Sequence, residues 1–300
     1  MRKLRFCRKP LILFIAALCS LVGHVASAQA ESDAYVRLTK TTGGEPKALE
    51  TAVVTLGGGT GELKGVTVDL IAAVHIGEKE YFQKLNKAFT GYDAVLYELI
   101  APDNIEIGKR VKENKSIVSS FQGAIQELLA LEFQLDQIDY SAKNLVHADL
   151  SPDAFMDSME RRGDSVWTLA GRVLLQGMLQ DQKEENPVEE MKFIMALLNT
   201  EDANRPYKLR RYLALNMTKM DDLIAQLEGS SGSALIADRN AKAVSVFREQ
   251  LKTKKKHFAI YYGGAHMPDI ARRLSAELGL KPVKTSWLTA WTLQPPASGK

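Results

Sequence analysis

Two apolar segments, one near each end of the chain, are each followed by one histidine. Residues 68–74 lead to His75, and residues 257–262 lead through Gly263-Gly264-Ala265 to His266. Each pattern predicts a buried strand that delivers one imidazole at the point where the chain turns towards a helix. Ligands bind at the carboxyl ends of the strands in open α/β sheets, so we expect one site built from both halves of the sequence.

The first thirty residues predict a secretory signal peptide. Basic residues precede an apolar run from Leu11 to Val22, and Ala26-Ser27-Ala28 offers a cleavage site of small residues. The run is short for a bilayer span. We therefore expect cleavage near Ala28 or Ala30, a periplasmic or secreted location, and no stable membrane span afterwards.

The charge of the mature chain argues against a nucleic-acid partner. The full chain has 39 basic and 36 acidic residues, and without the five basic residues of 1–30 the balance becomes 34 against 36. Such a balance gives no broad basic surface. The only cysteines, Cys7 and Cys19, lie in the leader, so the mature chain must fold without disulfides. We expect a peptide or small-molecule substrate, and the sequence leaves the oligomeric state open.

The N-terminal patterns predict an α/β core. Tyr35 to Lys40 and Thr51 to Leu56 alternate like the strands of a hairpin. Val66 to Val74 and Tyr92 to Leu99 are predicted strands on either side of a helix from Glu78 to Phe89. Strand, helix, strand in this order predicts a βαβ unit, whose two strands lie parallel.

The middle of the chain is predicted to be almost entirely helical. Apolar residues three and four positions apart predict helices over Ile117–Phe133, Ser151–Arg161, Val166–Gln180, Pro187–Leu198, Tyr207–Leu227 and Ala234–Leu251. Strand, helix and strand then follow at His257–Tyr262, Pro268–Leu278 and Val283–Leu293.

The predicted fold class is therefore α/β, with a split mixed or parallel sheet flanked by helices and a long helical insertion. We divide the chain into the signal peptide 1–30, core halves 31–108 and 253–294, the mostly helical insertion 109–252 and a tail 295–300.

Glu98 supplies the third group of the predicted site. It lies near the end of its strand, on the face that carries Leu96. A buried carboxylate is costly unless it pairs, protonates or binds a cation. Glu98 with His75 and His266 could hold a divalent metal ion that keeps a position open for water, or could act without metal as base, acid and orienting group.

Other interpretations of these residues remain open at this point. A single histidine at a strand end is often structural, and the spacing carries no metal signature of the His-Glu-x-x-His kind. We expect His147 and His257 to be structural. Gly263 and Gly264 lack side chains, which lets a backbone approach the site closely.

The order of four short motifs resembles the TraB/PrgY/GumN family, which includes the Tiki proteins. Ala72-Ala73-Val74-His75 is similar to its first glycine-x-x-histidine motif, although Ala72 stands where the family has glycine. Glu98 ends the next strand as the family glutamate does. Asp238-Arg239-Asn240 resembles the acidic-Arg-Asn motif, and Gly263-Gly264-Ala265-His266 resembles the second glycine-x-x-histidine. The likeness spans about residues 66–280.

This resemblance implies an α/β fold related to the erythromycin-esterase and ChaN-like groups, and an exported hydrolase of peptide or related amide or ester bonds. His75, Glu98 and His266 would hold a divalent metal ion and carry catalysis. Arg239 would hold a carboxylate of the protein or the substrate, and Asn240 would orient the site. We expect Gly263 and Gly264 to line the substrate-binding site together with Arg239 and Asn240.

Two rival functions stay open on the sequence. The same cleft could belong to a non-catalytic periplasmic protein that binds haem or a metal. It could also belong to a metal-free, esterase-like hydrolase in which His75 is the base.

Overall fold

The computed structural model describes residues 35–102, 126–163, 187–228 and 235–296. Its strands are β1 (Val36–Lys40), β2 (Pro46–Gly57), β3 (Thr67–Ala73), β4 (Ile76–Gly77), β5 (Ala94–Tyr97), β6 (Glu132–Phe133), β7 (Leu145–His147), β8 (His257–Gly263) and β9 (Lys281–Thr292). Its helices include α1 (Lys79–Phe89), α2 (Gln134–Gln137), α3 (Pro152–Arg161), α4 (Pro187–Leu198), α5 (Arg205–Glu228), α6 (Ala237–Leu251) and α7 (Met267–Leu278).

The main sheet is mixed, with four parallel strands side by side. Its order is β9-β2-β3-β8-β5-β7, and β1 pairs with the first half of β2. The strands β3, β8, β5 and β7 are parallel, whereas β2 is antiparallel to all its partners. Helices flank this sheet, which confirms the predicted α/β class.

The C-terminal strand β8 lies between β3 and β5. Ala73 pairs in register with Gly263, and Tyr97 pairs with Tyr261. The two strands of the predicted βαβ unit are thus parallel, as expected, but they are not neighbours. Because β8 lies between them, its glycine-rich end is placed between the ends of β3 and β5, the strands that precede His75 and Glu98.

Both faces of the parallel strands are buried by helices. On one face, α1 buries Tyr81, Phe82, Leu85 and Phe89, which recur at helical spacing. On the other, α6 and α7 bury Phe247 and Ile270 among other apolar side chains. Each such large side chain contributes roughly 1.5–3 kcal/mol by its removal from water. The parallel strands therefore lie between two clusters of buried apolar side chains.

Most predicted elements agree with the structure to within a few residues. The helix predicted from Ser151 begins at Pro152, and the Ser151 hydroxyl accepts a hydrogen bond from the Ala154 N–H at 3.2 Å. This is the N-cap expected from the sequence. The helix predicted over 166–180 and the signal peptide lie outside the described residues.

Two short strands interrupt the insertion that was predicted to be mostly helical. The helix predicted to reach Phe133 gives way to strand β6, which pairs with β4. Strand β7 joins the main sheet beside β5, although it lies well inside the predicted insertion. Strands of two or three residues are too short to produce a periodic pattern, so their pairing was not visible in the sequence.

No helix in the described ranges is long and apolar enough to cross a membrane.

Gly264 permits close packing between the end of β8 and β1. A methyl group at Gly264 would lie 2.4 Å from Val36 Cγ2, well inside van der Waals contact. We expect Gly264→Ala to lower the free energy of unfolding by about 1–3 kcal/mol, measured by urea denaturation, because overpacking forces side chains to shift. Adding Val36→Ala should recover most of this loss.

Gly43→Ala is the matched control, since its methyl group would meet nothing nearer than Thr41 Oγ1 at 3.7 Å. If Gly264→Ala were no more destabilising than Gly43→Ala, the close packing against Val36 would not matter.

Candidate functional site

Three parallel strands end beside one another and deliver the polar groups of the candidate site. Glu98 follows β5, Asp149 lies two residues beyond β7, and His266 follows the glycines at the end of β8. Parallel strands share one carboxyl edge, so these side chains meet although they are far apart in sequence. Helix α6 adds Arg239 and Asn240 from the adjoining face.

The Glu98 carboxylate is held at both oxygens. Its Oε2 accepts a hydrogen bond from the Gly263 N–H at 2.6 Å, and its Oε1 accepts one from Arg239 Nη2 at 2.6 Å. Burial disfavours the charged form, but contacts with His266, Arg239 and Gly263 outweigh it and hold the Glu98 pKa well below its usual range. Glu98 is therefore ionised at neutral pH.

Arg239 joins two carboxylates of the protein. Its Nε donates to Asp149 Oδ1 at 2.9 Å, while its Nη2 donates to Asp149 Oδ2 and Glu98 Oε1, both at 2.6 Å. Burial alone would lower the Arg239 pKa, but the two carboxylates raise it. Of the two partners expected for Arg239, a carboxylate of the protein is the one observed. A role in substrate binding stays a prediction.

His266 is buried and oriented by an amide. Asn240 Nδ2 donates to the Asp269 carboxylate at 2.9 Å, so Asn240 Oδ1 faces His266 Nδ1 at 2.7 Å. An amide oxygen can only accept, and so Nδ1 carries a proton. His266 Nε2 lies 3.4 Å from Arg239 Nη1 and 3.5 Å from Glu98 Oε1.

The arrangement around His266 Nε2 has the features of a base or a metal ligand. The Asp269–Asn240–His266 chain fixes the tautomer, as outer partners of catalytic and ligating histidines do. Tyr262 packs edge-on against the ring, with centroids 5.2 Å apart.

His75 lies at the same sheet edge but outside this cluster. Its exposed ring places Nδ1 3.3 Å from Gln134 Oε1. Within the described part of the chain it makes no hydrogen bond or ion pair to Glu98 or His266. The structure therefore joins Glu98, Arg239, Asn240, Gly263 and His266 directly, while His75 is held by another element.

The ligand atoms suit a metal ion only in part. His266 Nε2 and Glu98 Oε1 are 3.5 Å apart, near the separation of about 3.3 Å that two ligands reach around one tetrahedral zinc ion. Both Glu98 oxygens already accept hydrogen bonds, however, and Arg239 brings a positive charge close to Nε2. Among the described residues, no three His, Cys, Asp or Glu side chains are grouped to hold an ion.

His147 and His257, the two remaining histidines beyond residue 30, make other contacts. His147 Nε2 lies 2.6 Å from the Leu99 carbonyl oxygen. His257 Nδ1 lies 3.1 Å from Thr67 Oγ1, at the opposite end of β8 from His266. A structural role for both stays a prediction.

Asp149 and Asp269 were not predicted as site residues. Asp149 is fully buried and accepts two hydrogen bonds from Arg239. Recognition of β7 as a strand would have revealed Asp149, by the same strand-end argument that identified Glu98. Asp269, in the first turn of α7, could be found only from its contact with Asn240, which no spacing in the sequence predicts.

The lowered pKa of Glu98 predicts a specific loss of stability in acid. The ionised carboxylate stabilises the fold above its ordinary pKa of 4.5, and this contribution is lost as the pH falls towards the lowered value. Glu98→Gln should therefore be less stable than the wild type near pH 6, and the deficit should shrink as the pH approaches 3. Urea midpoints across this range measure it.

Glu249→Gln is the control, because Glu249 is exposed and forms a surface ion pair with Lys252. A Glu98→Gln deficit that stays constant with pH would mean that the carboxylate charge adds nothing to stability.

Comparison with protein-family models, with curated proteins and with solved structures finds no match to this chain.

Proposed function

We propose that the chain is an exported hydrolase of peptide or related amide or ester bonds, similar in its chemistry to the TraB/PrgY/GumN family. The order of the motifs around His75, Glu98, Arg239 and His266 motivates the proposal. The proposed reaction takes place at the carboxyl edge of the parallel strands, and export follows from the predicted leader.

The observation that carries the proposal is the buried contact between Glu98 and His266. Burying a carboxylate and a guanidinium together often stabilises a fold less than apolar residues of the same volume would. Here the cluster also fixes an imidazole whose Nε2 lies beside a carboxylate. A reactive arrangement accounts for this choice of residues better than stability does.

In the proposed mechanism, His266 Nε2 removes a proton from the attacking water. Nδ1 stays hydrogen-bonded to Asn240, which keeps the ring in one orientation through the reaction. The Glu98 carboxylate stabilises the imidazolium that forms, and Arg239 keeps Glu98 ionised and in place. His266 then returns the proton to the leaving group.

A divalent metal ion is part of the same proposal. Glu98 and His266 would supply two ligands and His75 the third, and a bound ion would lower the pKa of the attacking water. With an ion bound, His266 Nε2 would be a ligand and could not take up the proton, so His266 is the base only in the metal-free version. Removal of metal decides between the two versions.

The test is hydrolysis of peptide, amide and ester libraries by purified residues 31–300. We expect turnover that falls at least tenfold after chelation and returns with added zinc, manganese or cobalt. Metal content should drop in His75→Ala and in His266→Ala, but not in His257→Ala. Turnover unaffected by chelation would favour the metal-free hydrolase.

Absence of turnover on every library, with or without metal, would contradict the proposal. Absorption of co-purifying haem would then favour the non-catalytic binding protein.

A further inference from the structure

Gln134 is a buried polar residue that contacts His75 twice. Its backbone N–H donates to the His75 carbonyl oxygen at 2.9 Å, and its side-chain Oε1 lies 3.3 Å from His75 Nδ1. The short ladder between β4 and β6, in which Ile76 pairs with Phe133, holds the two segments in register. Gln134 is only 5% exposed, so its side chain has a single environment.

Tyr140 fixes the other end of the Gln134 amide. Gln134 Nε2 lies 2.8 Å from the Tyr140 hydroxyl. Burial is the main cause of a raised Tyr140 pKa, and the charge of nearby Glu98 raises it further. Because Gln134 Nε2 donates to this hydroxyl, Oε1 is the amide atom left on the side of His75. Gln134 Oε1 then faces the His75 ring.

We propose that Gln134 is a positioning residue which, held by Tyr140, fixes the proton of His75 on Nδ1 and leaves the Nε2 lone pair for the reaction. An amide oxygen accepts and cannot donate, so the contact at Nδ1 selects one tautomer of the neutral ring. The importance of this tautomer for catalysis rests on the proposed function, whereas the tautomer itself does not.

The two histidines are then oriented in the same way by different elements. Asn240 from α6 accepts from His266 Nδ1, and Gln134 from α2 accepts from His75 Nδ1. Each of these amides is itself held through its nitrogen: Asn240 Nδ2 donates to Asp269, and Gln134 Nε2 donates to Tyr140. His75 Nε2 is thereby left to bind a proton, water or metal ion, whereas His266 Nε2 lies beside Arg239 and Glu98.

The experiment is ¹⁵N NMR of protein labelled at histidine, without metal or substrate, at a pH where the rings are neutral. The wild type should show His75 with its proton on Nδ1. Gln134→Met and Tyr140→Phe should shift His75 towards the Nε2-protonated form that free imidazole side chains favour in water. Gln134→Glu should keep the proton on Nδ1, because its carboxylate still accepts.

Gln137→Met is the matched control. Gln137 is three residues away on the same helix, and its Nε2 donates to Glu132 rather than to a histidine. It should leave the His75 signals unchanged. If Gln134→Met does not fold, Tyr140→Phe and Gln134→Glu still give opposite expected results.

A wild-type His75 protonated on Nε2, or a tautomer that Gln134→Met and Tyr140→Phe leave unchanged, would overturn the proposal. In an active preparation, Gln134→Met should lower kcat by about 10–100-fold with little change in KM, and Gln134→Glu should restore it. Failure to find any hydrolysis would contradict the proposed function but leave the NMR result standing.

Discussion

Replacement of Arg239 by methionine is expected to lower the free energy of unfolding by about 3–5 kcal/mol. The change leaves Glu98 and Asp149 as two buried carboxylates without their shared cation. The Asp149 side chain is 0% exposed and that of Glu98 is 9% exposed, so water cannot replace the lost hydrogen bonds. Methionine keeps most of the side-chain volume, which limits the effect of a cavity. Urea denaturation at neutral pH measures the loss.

Arg248→Met is the matched control for this prediction. Arg248 lies on the same helix α6, is 48% exposed, and pairs with Glu277 at the surface. An exposed ion pair contributes only about 0.2–1 kcal/mol, so this variant should stay close to the wild type. Equal losses for the two arginines would show that the Arg239 cluster is no more important than a surface pair.

Replacement of His266 by glutamine is expected to lower kcat by about 10²–10⁴-fold, the usual contribution of a positioned acid or base. The amide can still contact Asn240, but it cannot accept a proton at the position of Nε2. The melting temperature should change little in comparison with the loss of turnover. Steady-state kinetics on the best library substrate measures the effect.

His257→Gln is the control, because His257 belongs to the same strand β8 but lies at its other end, beside Thr67. It should retain nearly full turnover. A His266→Gln enzyme with more than a tenth of wild-type kcat would exclude His266 as the base.

The central strands could be predicted because strands that are buried on both faces appear in the sequence as continuous apolar runs. The segments before His75, Glu98 and Gly263 form β3, β5 and β8, and all three end at one edge. From these ends, His75, Glu98 and His266 were expected to meet. Glu98 and His266 lie 3.5 Å apart, whereas the described contact of the His75 ring is with Gln134. The position of β8 between β3 and β5 could not be predicted, because the order of parallel strands leaves no local pattern in the sequence.

The groups that hold the site were much harder to predict. Asp149 follows a strand of only three residues, and Gln134 follows one of two residues. Their partners, Arg239 and His75, are 90 and 59 residues away. Contacts of this kind depend on how helices pack over the sheet, and hydrophobic periodicity carries no information about them.

A double-mutant cycle in kcat between His75→Gln and His266→Gln tests the central claim, a single site shared by both histidines, most directly. Residues that act as one catalytic unit are strongly non-additive, so the double variant should be about as slow as the slower single variant. Losses that multiply, or a His75→Gln enzyme with full turnover, would contradict the shared site.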